Sequence, residues 1–342
     1  MKIAIHHRNK GFSSHWVSYC KKHNIPFKIV DCYSDTIISD LQDCDALMWH
    51  FHQTNCKDVL FAKQLVYSLE TAGMEVFPDF HTGWHFDDKV GQKYLLESVG
   101  APLVPSYVFY DRSRAMEWVD NTTFPKVFKL RRGAGAAQVQ LVNSRREARK
   151  LVKKAFGKGF SQYPAGSNLK ERWRKYRKGK TTIWDVAKGV LRLGYTTDFD
   201  RVTGNERGYA YFQDFVPEND SDIRVIVIDG KAFAIKRMVR DNDFRASGSG
   251  EVEYKKELFD RDTVALAFQI AEELKSQSLA LDFVYKEGKP MIIELSFGFT
   301  TEVYEPCEGY WDRDMNWHDG PFNPQNWMVE SLMKKAKVGA GA

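Results

Sequence analysis

The sequence predicts an α/β chain, in fuller terms α/β passing into α+β, in which a parallel sheet with covering helices is followed by an antiparallel half. Two observations carry this. The first eighty residues alternate short apolar runs with longer amphipathic stretches, the pattern of parallel strands joined by helices. Beyond residue 208, apolar runs follow one another around one long helical stretch, the pattern of an antiparallel sheet with a single helix. With 342 residues and 43% hydrophobic content, the chain can bury two or three subdomain cores.

In order, KIAIHH, FKIVD, ALMWHF and EVFP read as strands with helices between them. Gly73 and Gly100 stand where helices should stop, and Asp87 or Asp88 is placed to cap the helix running to Val99. Pro102 and Pro105 break the chain before a strand from Tyr107 to Tyr110. A first domain of residues 1–85 is therefore expected. FPKVFKL and AQVQLV then flank a glycine turn, and a helix follows from Ser144 to about Phe156. Residues 157–208 are polar, basic and weakly periodic, too long for a plain connection, and read as an insertion within a second segment, 86–216. The third segment, 217–335, holds DIRVIVID, KAFAIKRMV, LALDFVY and MIIELSF with a helix from about Asp262 to Ser276.

MKIAIHHRNK lacks the apolar core of a secretory leader and no window approaches a membrane span, so a cytoplasmic protein is expected. Cys20, Cys32, Cys44, Cys56 and Cys307 show no metal or redox spacing and read as reduced thiols. A net charge of +5 does not call for nucleic acid. Its distribution says more: Lys170 to Lys180 carries seven basic residues against Glu171, whereas Glu302 to Asp319 is rich in acids.

The strands LALDFVY and MIIELSF each carry one interior carboxylate, Asp282 and Glu294. Burying an ionised carboxylate costs several kcal/mol unless it is compensated. With a three-residue loop of Glu287, Gly288 and Lys289, Lys286 faces Pro290 and Asp282 falls opposite Glu294. Ser296, two residues on, shares that face. Two carboxylates and a hydroxyl suit magnesium; the competing reading is a structural network in which Lys or Arg side chains neutralise both acids. Lys129 ends a strand beside Gly133 and Gly135, whose loop amides can cradle phosphate, although such a loop is more often a plain hairpin turn. Gln213, Asp214, Phe215 and Val216 close a strand, Asp222 and Arg224 open the next, and Arg237, Asp243, Arg245 and Ser247 surround a turn. An arginine such as Arg237 on a largely apolar strand pairs with a carboxylate or binds a ligand anion.

The succession of Lys89, Lys129 with its glycine loop, QDFV, DIRV, KR, DFR, LALDFV and IIELS resembles the ATP-grasp superfamily, most closely its RimK-type ligases, from about Asp88 to Phe299. The resemblance implies an N-terminal pre-ATP-grasp domain, a small lid and a C-terminal antiparallel sheet. It implies ATP and Mg2+ as cofactors, with Lys89 and Lys129 on the phosphates under the Gly133–Gly135 loop. Gln213 to Val216 become the adenine hinge, with Asp222 on the nucleotide side. Asp282, Glu294 and Ser296 become the metal set, and Arg237 with Arg245 the catalytic arginines that steady an acyl phosphate. Ser296 and Ser247 stand where the family has asparagine. The implied activity is carboxylate–amine ligation; the alternative is a catalytically weak relative that binds an anionic polymer.

His81 or His85 could supply a base. An acidic sugar, perhaps part of a surface polysaccharide precursor, is the favoured carboxylate, because Trp173, Tyr176 and Trp184 accompany the basic run. An anionic polymer or a membrane surface is the expected partner at Lys170–Lys180. Both phosphate lysines are expected at the protein surface.

Overall fold

The computed structural model describes residues 1–132, 138–161, 169, 172–173, 176–177, 179, 181–191, 198–239, 243–248 and 250–339. Its N-terminal sheet consists of β1 (Ile3–His6), β2 (Phe27–Val30), β3 (Ala46–Met48) and β4 (Glu75–Phe77), all parallel in the order β2-β1-β3-β4. All of β1 is buried, as expected of a strand covered on both faces. The helices α1 (Phe12–Lys22), α2 (Ile37–Asp40) and α3 (Cys56–Thr71) connect these strands. In α3, Ala62, Leu65, Val66 and Leu69 recur at helical spacing and are buried, so the amphipathic stretch docks its apolar stripe on the sheet. The short α4 (Phe80–Gly83) is capped by Asp79, which accepts from the Thr82 amide at 3.0 Å. Asp88 caps α5 (Lys89–Ser98), accepting from the Gly91 amide at 2.9 Å, and Gly100 follows in the left-handed region with φ 69°.

The chain passes between two compact units at 104/105 and 215/216: the larger comprises 1–52, 57–104 and 216–342, the smaller 53–56 and 105–215. The break expected near residue 85 falls inside the larger unit. The reason is that Leu96 of α5 joins the hydrophobic cluster of the C-terminal sheet, together with Val225, Phe283 and Ile292.

In the smaller unit, β5 (Ser106–Phe109), α6 (Arg112–Asn121), β6 (Lys126–Lys129), β7 (Val139–Val142), α7 (Arg145–Ala155), α8 (Ile183–Leu191), α9 (Asp198–Thr203) and β8 (Ala210–Asp214) follow in order. The strands form an antiparallel sheet, β5-β8-β6-β7, and α6 and α7 pack Val119, Ala148 and Val152 against Phe128 and Phe212. The long excursion leaves and returns at one point. Phe160 and Glu206 exchange two backbone hydrogen bonds of 2.9 and 2.8 Å, with Gly159 at φ 73° beside them.

The C-terminal sheet belongs to the larger unit. Its strands are β9 (Ser221–Ile228), β10 (Lys231–Met238), β11 (Val252–Glu253), β12 (Ser278–Lys286), β13 (Lys289–Ser296), β14 (Gly309–Asp312) and β15 (Trp317–Asp319). They pair antiparallel in the order β13-β12-β9-β10-β14-β15, with β11 also on β10. One face receives α10 (Arg261–Glu273), through Val264, Ala267 and Ile270. On the other, α11 (Pro324–Gly339) sets Trp327, Met328 and Leu332 among side chains of both sheets, including Ile5, Phe77, Ile226 and Phe233. The expected sequence of parallel then antiparallel sheets is found. No described helix is long and apolar enough to cross a membrane, and all five cysteines are free thiols.

Candidate active site on the antiparallel sheet

The hairpin of β12 and β13 turns on two residues, Glu287 and Gly288, both at positive φ (51° and 74°), the geometry that a tight two-residue turn requires. Lys286 therefore faces Lys289 instead of Pro290 as expected. That register would set Asp282 against Ile293. A bulge at Ile293 restores the alignment: Phe283 pairs with Ile292, and Asp282 pairs with Glu294. The expected opposition of the two carboxylates exists, but a bulge produces it, and bulges re-aim side chains in this way.

The next two strands extend the row of charge. Arg224 of β9 lies opposite Asp282, and Asp222, two residues earlier on the same face, lies opposite Arg237 of β10. Arg224 grips Asp282 with both guanidinium arms, at 2.5 and 2.7 Å. Arg237 grips Asp222 likewise, at 2.6 and 2.7 Å, and also reaches Asp282 Oδ2 at 2.9 Å. Asp282, Asp222 and Arg237 are all buried. Burial by itself would raise the pKa of the Asp282 carboxyl; Arg224 and Arg237 overcome it and hold the group well below the usual carboxylate range.

Lys89, the first residue of α5, places its Nζ 2.9 Å from Glu294 Oε1. Contrary to the expected surface position, Lys89 is only 5% exposed and Lys129 only 6%. Burial works against the ammonium of Lys89, yet the Glu294 charge beside it carries its pKa above the ordinary value. Three carboxylates (Asp222, Asp282, Glu294) thus meet three cations (Lys89, Arg224, Arg237). Glu294 is the accessible acid, its side chain 32% exposed against 5% for Asp282.

Magnesium needs few protein ligands, one or two carboxylates beside phosphates and water. Glu294 meets that requirement directly, and Asp282 meets it once a guanidinium lets go. Among the described residues no group of three or more His, Cys, Asp or Glu is placed to hold a metal. The Ser296 hydroxyl is engaged in a turn, donating to the Gly298 carbonyl at 3.0 Å and accepting from its amide at 3.2 Å.

The other expected residues are distributed as follows. Gln213 and Asp214 end β8 in the smaller unit, where Gln213 donates to Ser106 Oγ at 3.0 Å and Asp214 accepts from Lys126 at 2.6 Å. Phe215 and Val216 mark the passage into the larger unit. Arg245 is paired with Asp243 inside its turn at 2.6 Å, and Ser247 lies two residues on. Gly133 and Gly135 lie outside the described residues, as do Lys170, Glu171, Arg174, Lys175, Lys178 and Lys180.

His85 is fully buried with both ring nitrogens unpartnered, and burial pushes its pKa down to about 3, so it is not positioned as a surface base. A cluster at the ends of β1 and β3 escaped the reading of the sequence. The order β2-β1-β3-β4 reverses direction between those two strands, the switch point at which open α/β sheets form a crevice. His6 ends β1, and Arg8 follows it. His50 and His52 follow β3. Arg8 reaches the buried Asp58 at 3.3 Å, and Asp58 also accepts from the His52 amide at 2.7 Å and from the Tyr33 hydroxyl. His50 stacks on Phe12 at 3.8 Å. Burial, with His52 and Arg8 adding to it, pushes the His50 pKa down to about 3, and burial lowers that of His52 as well. A methyl group at Gly298, just past the Ser296 turn, would lie 3.2 Å from His50 Nε2; the loop leaving β13 therefore adjoins this cluster. The usable signal was the run WHFH directly after an apolar strand.

Residues 204–309 match the RimK-like ATP-grasp domain. No curated protein matches the sequence. Among solved structures, the chain is similar to a RimK-domain ATP-grasp protein from Sphaerobacter thermophilus, at 14% identity over 97% of this chain and 99% of that one with a TM-score of 0.57. D-cycloserine synthetase DcsG gives the same identity, coverage and TM-score. D-alanine–D-alanine ligase from Bacillus anthracis is similar at 13% identity over 99% of each chain, TM-score 0.54, and that ligase is also known complexed with ATP. At these identities the likeness establishes the fold.

Proposed function

Because the chain has the ATP-grasp fold and carries a RimK-like ATP-grasp domain over residues 204–309, we propose that it is an ATP- and magnesium-dependent ligase that activates a carboxylate as an acyl phosphate and joins it to an amine. One observation carries the reading: on a single sheet face, three carboxylates are neutralised by three cations, with Glu294 exposed at the end of the row. A triphosphate competes for those cations. As its oxygens draw off Lys89 and Arg237, Glu294 and then Asp282 gain free oxygens for a divalent ion. Magnesium, when bound, supplies positive charge that offsets the negative charge of the transferring phosphoryl group.

The roles of the chain's own groups follow. Lys89, and in the smaller unit Lys129, hold phosphate oxygens, and the Gln213–Val216 segment with Asp222 takes the nucleotide side. Arg237 steadies the charge of the acyl phosphate, while Arg245 shapes its turn through Asp243. Ser296 holds the loop at Gly298. His50 and His52 are kept neutral by burial, so an imidazole is available to accept a proton from an attacking ammonium, which gives them the role sought at His81 and His85. Arg8 offers a charge for an anionic group on the substrate. The favoured acid is a uronate or similar sugar acid, supported by exposed Trp173, Tyr176 and Trp184 on the excursion. A cytoplasmic location fits a supply of ATP.

The engagement of Ser296 in its own turn favours one second reading, a relative with weak turnover that binds anionic polymer. ADP release over pooled carboxylates and amines, followed by mass spectrometry of the product, separates the two. The ligase requires both pools for release and yields an amide. ATP left intact with every pool sinks the reading.

A further inference from the structure

The helix α7 presents a strongly basic outer face. Arg145, Arg146, Arg149, Lys150, Lys153 and Lys154 are exposed, whereas Ala148, Val152 and Ala155 are buried. The acids nearby are already committed. Glu147 closes the N-terminus of the helix, accepting from the Asn143 amide at 2.8 Å. Asp120 takes Arg149 on both oxygens and lies 3.9 Å from Arg145, and Lys154 turns onto the Phe160 ring at 4.3 Å. Among the described residues Arg146, Lys150 and Lys153 meet no carboxylate. They recur at i, i+4 and i+7, so they stand in a row along one face, about 6 Å from one to the next. Like charges so spaced repel one another and weaken the helix. The row borders an open groove of about 840 Å³ that is lined by Asp120, Arg145, Arg146, Arg149, Lys150 and Lys153.

We propose that this face of α7 docks a linear acidic polysaccharide, with Arg146, Lys150 and Lys153 meeting carboxylates along the chain. The absence of aromatic residues on α7 argues against single-stranded nucleic acid, which binds by stacking its bases. The apolar side of α7 is turned into the core, leaving nothing to insert into a bilayer. A saccharide chain bearing repeated charge needs neither. The preference for carboxylate over phosphate rests on the acid substrate proposed above; the surface itself does not.

The test uses the full chain and a fluorescein-labelled oligogalacturonate, with binding read by anisotropy over a range of salt. Arg146→Glu/Lys150→Glu/Lys153→Glu should weaken binding at least tenfold. It should also reduce the slope of log affinity against log salt by about 2, since each lost contact removes about 0.7 for a single chain. Arg146→Gln/Lys150→Gln/Lys153→Gln should move both in the same direction, which covers a failure of the first variant to fold. Lys21→Glu/Lys22→Glu/Lys286→Glu removes equal charge elsewhere and should bind nearly as the parent. Three results overturn the proposal: unchanged binding in both α7 variants, an equal loss in the control, or tighter binding of the parent to polyphosphate, single-stranded DNA or phosphatidylserine vesicles than to oligogalacturonate. ATP turnover without polymer binding overturns the surface alone. Polymer binding without turnover upholds the surface and counts against the ligase reading.

Discussion

Replacing Asp282 by Asn tests the charge network at its centre. Asp282 is 4% exposed and accepts from Arg224 at 2.5 and 2.7 Å and from Arg237 at 2.9 Å. Asparagine preserves the shape but leaves the guanidinium groups short of one negative charge. Removing one partner of a buried pair costs about 3–5 kcal/mol. Two features favour the lower end: Arg237 keeps Asp222, and the Arg224 side chain is 19% exposed. The expected loss is therefore about 3 kcal/mol at pH 7, read as a fall in the urea midpoint at unchanged slope by tryptophan fluorescence. The pH dependence supplies a second reading. The folded-state pKa of Asp282 is depressed, so its contribution is complete above the unfolded value of about 3.9 and is lost as pH falls through the folded value. The gap between parent and variant should narrow as pH falls below about 4. A loss under about 1 kcal/mol at pH 7, or a gap that does not narrow in acid, refutes the reasoning.

Glu294→Gln should lose less than half as much stability, because its side chain is the more exposed, while magnesium-dependent ATP hydrolysis should collapse; normal hydrolysis at normal magnesium demand removes Glu294 from the metal site. Lys89→Met and Lys129→Met should each weaken ATP binding in calorimetry, and unaltered affinity in both sinks the phosphate assignment. His85→Leu should flatten the pH dependence of stability. The folded pKa of His85 is pushed down to about 3 by burial, so its contribution is complete above about 6.5 and falls between there and about 3, by about 1.4 kcal/mol per pH unit; a variant as pH-sensitive as the parent in equilibrium unfolding at pH 5 and 7.5 contradicts this. Gly159→Ala places a methyl 2.5 Å from the Glu206 carbonyl at φ 73°, so limited proteolysis within residues 161–205 should quicken, and equal cleavage rates would show that the neck does not hold the excursion.

Much of this molecule is legible along the chain because its causes are local. Strands follow from runs such as IAIH, and the start of α5 from Asp88 placed three residues before Gly91. The order of sheets follows from where the alternation of strand and helix ceases. The interior carboxylates of the last hairpin stand out because their neighbours are apolar. The family resemblance rested on the same residues, and the matched domain contains Asp222, Arg224, Arg237, Asp282 and Glu294.

The rest depended on assembly. Arg224 and Asp282 are 58 residues apart, and the register of β9 between β10 and β12 makes them partners. The competing interpretations of Asp282, metal ligand or ion pair, could not be separated without that register. A two-residue turn and a bulge at Ile293 together give the carboxylate opposition that a three-residue loop also predicts, so the right pairing could be reached through the wrong turn. Burial of Lys89 required α5 to pack on β13, and the joining of His50, His52 and Arg8 required two parallel strands to become neighbours. Hydrophobic period and capping are read within one or two turns of chain. Ion-pair partners, burial and strand register are set by segments distant in sequence, whose relative placement is a property of the whole packed core.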